Sequence, residues 1–307
     1  MNILLIGFGS IGSRHFNILK NHSKATHVDI VSRSFSGALY KQITELDLLK
    51  LAKYDLFYIC SETSLHAEQL SYIDQRVNGK TILVEKPLAS TTLNYFPNNR
   101  VLVTYNLRFH PVIQKLKELL TRERILSFSV SAGQYLPIWR PSQDYKLSYS
   151  ADLKFGGGVL RDLSHEIDYT IYLCGDLTLI SAIANSNSHL DLKSDDLCTI
   201  LATNKYSAHV QIQMDYLSFR SKREIDIQTD NVSISASLIS NEIKVFYKDG
   251  KQENFNYGEL ERDFTYQNMH ADIIENSGER LTNYTEANAI MLLIDNITNN
   301  YMDKSWG

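Results

Sequence analysis

Short, uninterrupted apolar runs separated by helical patterns fill the first third of the chain, and runs that alternate apolar with polar fill most of the rest. Residues 3–6 (Ile3, Leu4, Leu5, Ile6) and 56–60 have the apolar character of strands buried on both faces in a parallel sheet, and 27–31, 81–84 and 101–104 read as further strands. The pattern predicts helices between them over 10–20, from a Ser64 cap to about 73, and over 111–120. From 125–134 onward the period is two, with further strands predicted over 178–184, 198–203, 208–217, 224–229, 232–238 and 242–247. So many strands with so few helices between them predict a largely antiparallel sheet. Helices over 264–277 and 285–300 close the chain, the last with an apolar stripe of Ala289, Leu292, Leu293 and Ile297. The expected fold class is therefore α/β. A doubly wound parallel sheet over 1–120 precedes a second α/β domain over 121–307 with a large, open, mainly antiparallel sheet.

Chemistry enters at the end of the first strand. Gly7, Gly9 and Gly12 follow it in G-x-G-x-x-G spacing and lead straight into a helix. That order suits a dinucleotide pyrophosphate: Gly7 makes the tight turn, Gly9 lets backbone approach phosphate, and Gly12 lets the helix pack on the strand. The helix amino end, at Ser10 and Ile11, favours negative charge. The second strand ends at Ser32 and Arg33, where the adenosine ribose of such a cofactor lies. An acid there would bind the ribose of NAD, but Asp29 comes too early, so Ser32 and Arg33 favour NADP(H), with NAD(H) the alternative. Ser61 and Thr63 follow the third strand, and Glu85 and Lys86 end the fourth, all at the carboxyl edge where open α/β sheets bind ligands. His66, in the first turn of a helix, is expected to be structural or to flank the cofactor. Pro87 stops the fourth strand and holds Lys86 at its edge.

In the second half, Gly156, Gly157 and Gly158 precede a predicted helix carrying Asp162, His165, Glu166 and Asp168. On one continuous helix, Asp162 and His165 would share a face. A histidine, with an ordinary pKa of about 6.5, suits the proton transfer that accompanies oxidation of a secondary alcohol. A cationic Lys86 would stabilise the developing alkoxide. The stretch 139–150 lacks apolar periodicity and reads as a loop. Arg108, Arg140, Lys146 and Lys154 are candidates to clamp a substrate carboxylate or phosphate there, and Tyr145 or Trp139 to stack on a sugar ring.

The segments GFGSIGSRH, ICSETSLHAEQL, EKP and YNLRFHP follow one another as in the Gfo/Idh/MocA family of nicotinamide-dependent oxidoreductases, which the first 111 residues resemble. The resemblance implies a Rossmann amino-terminal domain and a second domain whose open sheet often forms the subunit interface, hence a homodimer or homotetramer. The glycine segment at 156–158 resembles the family's GGG…D…H..D motif. This resemblance implies catalytic positions for Lys86, Asp162 and His165, with Asp162 and His165 also lining the substrate side. The aspartate-to-histidine spacing is three instead of the common four, which puts the role of Asp162 in question. The variant DLSHEIDY looks like a branch associated with surface-polysaccharide and sialic-acid-like sugars.

Composition narrows the classes. Apolar residues make up 43% of the 307 positions and charged residues 21%, as in ordinary globular proteins. A net charge of -4 gives no basic footprint for nucleic acid. Cys60, Cys174 and Cys198 are dispersed and predict reduced, buried thiols instead of a disulfide framework or metal site. A first strand starting at residue 2, with no long apolar run, predicts a cytoplasmic protein without a membrane segment. The expected activity is hydride transfer between a nicotinamide cofactor and a secondary alcohol or ketone of a sugar-like substrate. A sensor that binds the cofactor without turnover is the alternative.

Overall fold

The computed structural model describes residues 1–139, 141, 144–186 and 188–302. It divides into two compact units, Met1–Asn106 with Asp263–Leu292, and Leu107–Arg262 with the chain from Leu293.

In the first unit, strands β1 (Asn2–Ile6), β2 (His27–Val31), β3 (Leu56–Ile59), β4 (Thr81–Val84) and β5 (Arg100–Val103) form a parallel sheet in the order 5-4-3-1-2. Helices α1 (Ser10–Leu19), α2 (Leu48–Leu51) and α3 (Thr63–Asp74) connect them. The central strands are buried throughout: Ile3 to Leu5, Phe57 to Ile59 and Ile82 to Val84 are all without solvent exposure. From β1 the chain crosses to β2 on one side, then returns to β3 on the other. The carboxyl ends of β1 and β3 thus meet where strand order reverses, the place at which such sheets bind ligands.

The second unit begins at Leu107 and includes α4 (Pro111–Leu120). Its sheet runs 13-12-11-10-6-9-8-7, from β6 (Ile125–Gly133) through β7 (Leu177–Asn185), β8 (Leu197–Asn204), β9 (His209–Asp215), β10 (Lys222–Thr229), β11 (Val232–Ser237) and β12 (Glu242–Tyr247) to β13 (Gln252–Asn256). Every pair is antiparallel except β6 with β9. Two short helices, α5 (Val159–Asp162) and α6 (His165–Cys174), follow the glycines. The chain then supplies α7 (Phe264–Glu275) and the short strand β14 (Thr282–Asn283) to the first unit, where β14 pairs antiparallel with β5, before the closing helix α8 (Tyr284–Asn300).

The predicted α/β class and both sheets are present. Three features differ from the sequence reading. The division falls at Asn106 instead of 120, because α4 buries Val112, Ile113 and Leu116 on its inner face and lies against α6, whereas α7 lies against α1. Edge strand β13, reading QENFN, is polar apart from Phe255 and carries no apolar alternation to reveal it. The helix expected after the glycines is broken in two at Leu163 and Ser164.

His110 caps α4 and illustrates how burial fixes a tautomer. Its Nδ1 accepts the Val112 N–H at 3.3 Å and its Nε2 donates to Asn241 Oδ1 at 3.1 Å, a pairing that requires neutral imidazole. Burial, opposed by the Asn241 bond and reinforced by the nearby Arg223 charge, pushes its pKa down to about 4. With an unfolded value of about 6.5, His110 contributes stability that is complete above pH 6.5 and is lost as pH falls towards 4, at most about 3 kcal/mol. His110→Asn keeps a capping side chain and removes the titration. Urea unfolding at pH 7 and pH 4.5 should therefore show a smaller acid-induced loss in the variant. An equal loss would remove His110 from the account.

Candidate functional site

The glycine turn has the shape a dinucleotide requires. Gly7 adopts φ +93°, and a Cβ there would meet the Ser61 amide nitrogen at 2.6 Å, so the turn lies directly against the start of α3. A Cβ on Gly12 would stand 2.2 Å from the Gly7 carbonyl oxygen. A Cβ on Gly9, in contrast, would meet nothing within 4 Å. Gly9 is the N-cap of α1, no side chain caps the helix, and its first turn holds no acidic residue. Ser10 is exposed and Ile11 partly so, which leaves this amino end open to an anion. These residues fit a pyrophosphate. Two variants separate the roles of the glycines. Gly12→Ala should lose both thermal stability and NADH binding, because two backbone atoms cannot give way. Gly9→Ala should fold normally and lose at least about tenfold in NADH affinity, read by fluorescence titration. Wild-type affinity in Gly9→Ala would contradict the cradle.

The neighbouring strand ends divide into groups that face outward and groups already committed inside the unit. Ser32 is buried and accepts the Phe35 N–H on its Oγ at 3.2 Å, while Arg33 is exposed. Asp29 accepts from Tyr54 OH at 2.6 Å and lies 2.8 Å from His27 Nε2, so its carboxylate is engaged away from the strand end. Ser61 Oγ donates to Gln69 Oε1 at 2.7 Å. Thr63 is partly exposed as the first residue of α3, whose N-cap is Glu62 instead of the expected Ser64. His66 is buried, with Nδ1 3.0 Å from the Pro87 carbonyl and Nε2 3.1 Å from that of Ser61. Burial holds it below its ordinary pKa against the pull of those carbonyls. It therefore ties the start of α3 to the Lys86–Pro87 segment, where the peptide bond is cis.

Lys86 is half-buried just past β4, and its N–H donates to Glu85 Oε2 at 3.2 Å. The other Glu85 oxygen lies 2.7 Å from His15 Nε2. Glu85, expected among the cofactor ligands, is thus engaged inside its own unit. Burial alone would raise its pKa, but the His15 hydrogen bond and charge outweigh it and hold the carboxyl below its ordinary range.

In the second unit Asp162 closes α5 and is buried. Its Oδ2 accepts from Ser150 OH at 2.6 Å and from Tyr216 OH at 2.7 Å. These bonds pull Asp162 inward, and His165 opens the next helix half-buried, so the shared face expected of one continuous helix does not exist. Asp195 supports the same break: its Oδ2 accepts the Leu160 N–H at 2.8 Å, and its Oδ1 leaves no room for a Cβ on Gly158 (φ +101°). Sequence reasoning missed Ser150, Tyr216 and Asp195, because nothing local marks them.

Arg108 is not open to a substrate anion. Its Nε lies 3.1 Å from both Asp168 oxygens and its Nη2 2.8 Å from Oδ1, with the Tyr172 ring 4.7 Å from the guanidinium carbon. Tyr145 OH accepts the Asp191 N–H at 3.3 Å, Lys146 pairs with Asp191 at 3.0 Å, and Lys154 is exposed. Trp139 donates Nε1 to the Gln134 carbonyl and sets its ring edge on Tyr216. Arg140 lies outside the described residues. Cys60, Cys174 and Cys198 are buried, and burial raises all three thiols, Cys174 to about 11. Among the described residues, no helix is long and apolar enough to cross a membrane.

Comparison with known proteins agrees with this arrangement. Biliverdin reductase A of Mus musculus is 29% identical over 186 residues, 59% of this chain and 60% of the mouse protein. The chain thus matches less than two thirds of that relative's length. The Homo sapiens protein of the same name is 24% identical over 265 residues, covering 80% of this chain and 84% of its own. Levoglucosan dehydrogenase in complex with NADH and levoglucosan superposes with a TM-score of 0.82 at 18% identity, covering 98% of this chain and 96% of that one, which establishes a common fold. A family model described as an oxidoreductase family with an NAD-binding Rossmann fold matches residues 1–96, the segment that holds the glycine turn, Ser61, His66 and Lys86. Residues 1–96 are thus similar to the NAD-binding Rossmann segment of the Gfo/Idh/MocA oxidoreductases.

Proposed function

We propose that the protein is an NAD(P)(H)-dependent oxidoreductase that interconverts a secondary alcohol and a ketone on a sugar-derived substrate. The observation that carries this reading is the open space over Gly9 at an uncapped helix end, in a unit that also presents Lys86 at a strand end. Nicotinamide, when bound, supplies or accepts the hydride. Lys86 stabilises negative charge developing on the substrate oxygen, and His165 takes the hydroxyl proton in oxidation and returns it in reduction. Asp162, held by Ser150 and Tyr216, fixes the break from which His165 starts and so positions it. Levoglucosan, the sugar-derived compound bound by the structural neighbour, supports the substrate class.

The test is nicotinamide absorbance with NADPH, NADH and their oxidised forms against levoglucosan, nucleotide sugars, sialic-acid-like sugars, polyols and biliverdin, in wild type and Lys86→Ala. Turnover of a sugar that disappears in the variant is the expected result. The names of the two sequence relatives favour a second reading, reduction of an unsaturated linear tetrapyrrole; consumption of biliverdin alone would select it. Cofactor binding with no turnover of any compound would favour a sensor.

Arg33, exposed at the end of β2 with Asp29 engaged elsewhere, is assigned to the 2′-phosphate of NADP(H). Arg33→Ala should weaken NADPH binding by about 10- to 100-fold, the worth of a charge-assisted hydrogen bond, and leave NADH nearly unchanged. Equal loss for both would refute the phosphate role.

A further inference from the structure

Four buried side chains of the first unit, none assigned a part in the reaction above, form one continuous hydrogen-bonded chain. Tyr58 OH on β3 lies 2.9 Å from His270 Nδ1 on α7, and His270 Nε2 lies 2.8 Å from His15 Nδ1 on α1. His15 Nε2 lies 2.7 Å from Glu85 Oε1, and Glu85 Oε2 accepts the Lys86 N–H. Tyr58, His15 and His270 are without solvent exposure, and Glu85 is 8% exposed.

Two proton arrangements satisfy every link. With neutral imidazoles, Tyr58 donates to His270, His270 Nε2–H to His15, and His15 Nε2–H to Glu85. With His15 protonated, its two N–H groups donate to Glu85 and His270, and His270 Nδ1–H donates to Tyr58. In both, Glu85 is the fixed terminal acceptor. A network so fully satisfied in a low-dielectric interior is stiff, since no member can rotate without orphaning its neighbour. Burial first, then the charges of His15 and His22, holds His270 far below its ordinary pKa, so it is the uncharged member. Tyr266 sets its ring against His15 and is itself covered by the Arg14 guanidinium, while Cys60 stands beside Tyr58 and Glu85.

We propose that His15 and His270 are positioning residues, which anchor Glu85 through this chain and thereby fix the peptide from which the Lys86 side chain projects. The catalytic importance of that position rests on the role proposed for Lys86, but the positioning itself does not. The test is NMR of the full chain with its lysines reductively ¹³C-methylated, the Lys86 signal being identified by its absence in Lys86→Arg. His15→Leu and His270→Phe should displace that signal and move its titration midpoint by at least about half a pH unit. His15→Gln, whose side-chain amide can still donate to Glu85, should restore most of the wild-type signal. Tyr58→Phe, isosteric and lacking only the terminal hydroxyl, should move the signal in the same direction by less, and it decides the matter if the larger substitutions do not fold. An unmoved Lys86 signal in folded Tyr58→Phe and His270→Phe would overturn the proposal, even with Lys86→Ala inactive. A displaced signal with Lys86→Ala fully active would uphold the positioning and remove the catalytic reading instead.

Discussion

Arg108→Ala is expected to lower the stability of the second unit by about 3–5 kcal/mol, the usual cost of leaving one member of a buried ion pair without its partner. The side chains of Arg108 and Asp168 are 3% and 1% exposed, and the guanidinium meets both carboxylate oxygens. Removing Arg108 therefore leaves a buried carboxylate without the opposite charge that it faces. Arg108→Lys should recover only part of the loss, because an ammonium cannot reproduce the fork or lie flat against Tyr172. Arg108→Met combined with Asp168→Leu removes both charges and should recover most of it. Urea unfolding of the three variants checks the series. A loss below about 1 kcal/mol for Arg108→Ala would mean that the pair is solvated like a surface bridge. The same pair joins the segment preceding α4 to α6, the helix that His165 begins. Arg108→Ala should accordingly depress kcat, whereas loss of a substrate clamp would act on KM.

Arg108 also shows where sequence reasoning stops. Its position just before a helix, in a segment rich in polar and aromatic residues, is compatible with a ligand clamp or an ion pair. The choice depends on Asp168, 60 residues away. The parallel strands were legible because their signal is local: Ile3 to Ile6 or Leu83 and Val84 are apolar without interruption, and such runs have few other uses. The glycine turn was legible for the same reason, since Gly7, Gly9 and Gly12 fall within six positions of one another, and Gly7 and Gly12 each meet a separate steric demand. Strand β13 was illegible because an edge strand with a single apolar residue, Phe255, sets no hydrophobic period.

The broken helix at Leu163 was hidden for a different reason. Locally, 159–174 is a plausible single helix; Ser150 and Tyr216, 12 and 54 residues from Asp162, end its first segment by drawing that carboxylate inward. The Tyr58–His270–His15–Glu85 chain spans separations of 212, 255 and 70 residues and leaves one local trace. His15 falls on the same helical face as Gly12 and Leu19, the stripe that α1 buries. A histidine on such a stripe must find polar partners in the interior, which predicts a network without naming its members.

His165→Ala is expected to reduce kcat by about 10²- to 10⁴-fold on the compound that the wild type turns over, the range lost with a general acid–base group. NADH affinity should stay at the wild-type value, since the glycine turn and the α1 amino end belong to the first unit and His165 to the second. That separation makes the variant informative: a fall in kcat with cofactor binding intact places the defect in the chemical step, not in assembly of the dinucleotide site. Lys86→Ala should cost about 10²- to 10³-fold, as expected for removing electrostatic stabilisation of the reacting oxygen. If the two residues act on one oxygen, their double variant should lose far less than the product of the single losses, because a proton carrier gives little when the charge it relieves is no longer stabilised. Imidazole added to His165→Ala should restore part of the rate, which a purely structural role for this histidine would not permit. His165→Ala turning over within about threefold of wild type would show that the proton travels by another route, and would return the weight to a protein that binds the cofactor for some purpose other than this reaction.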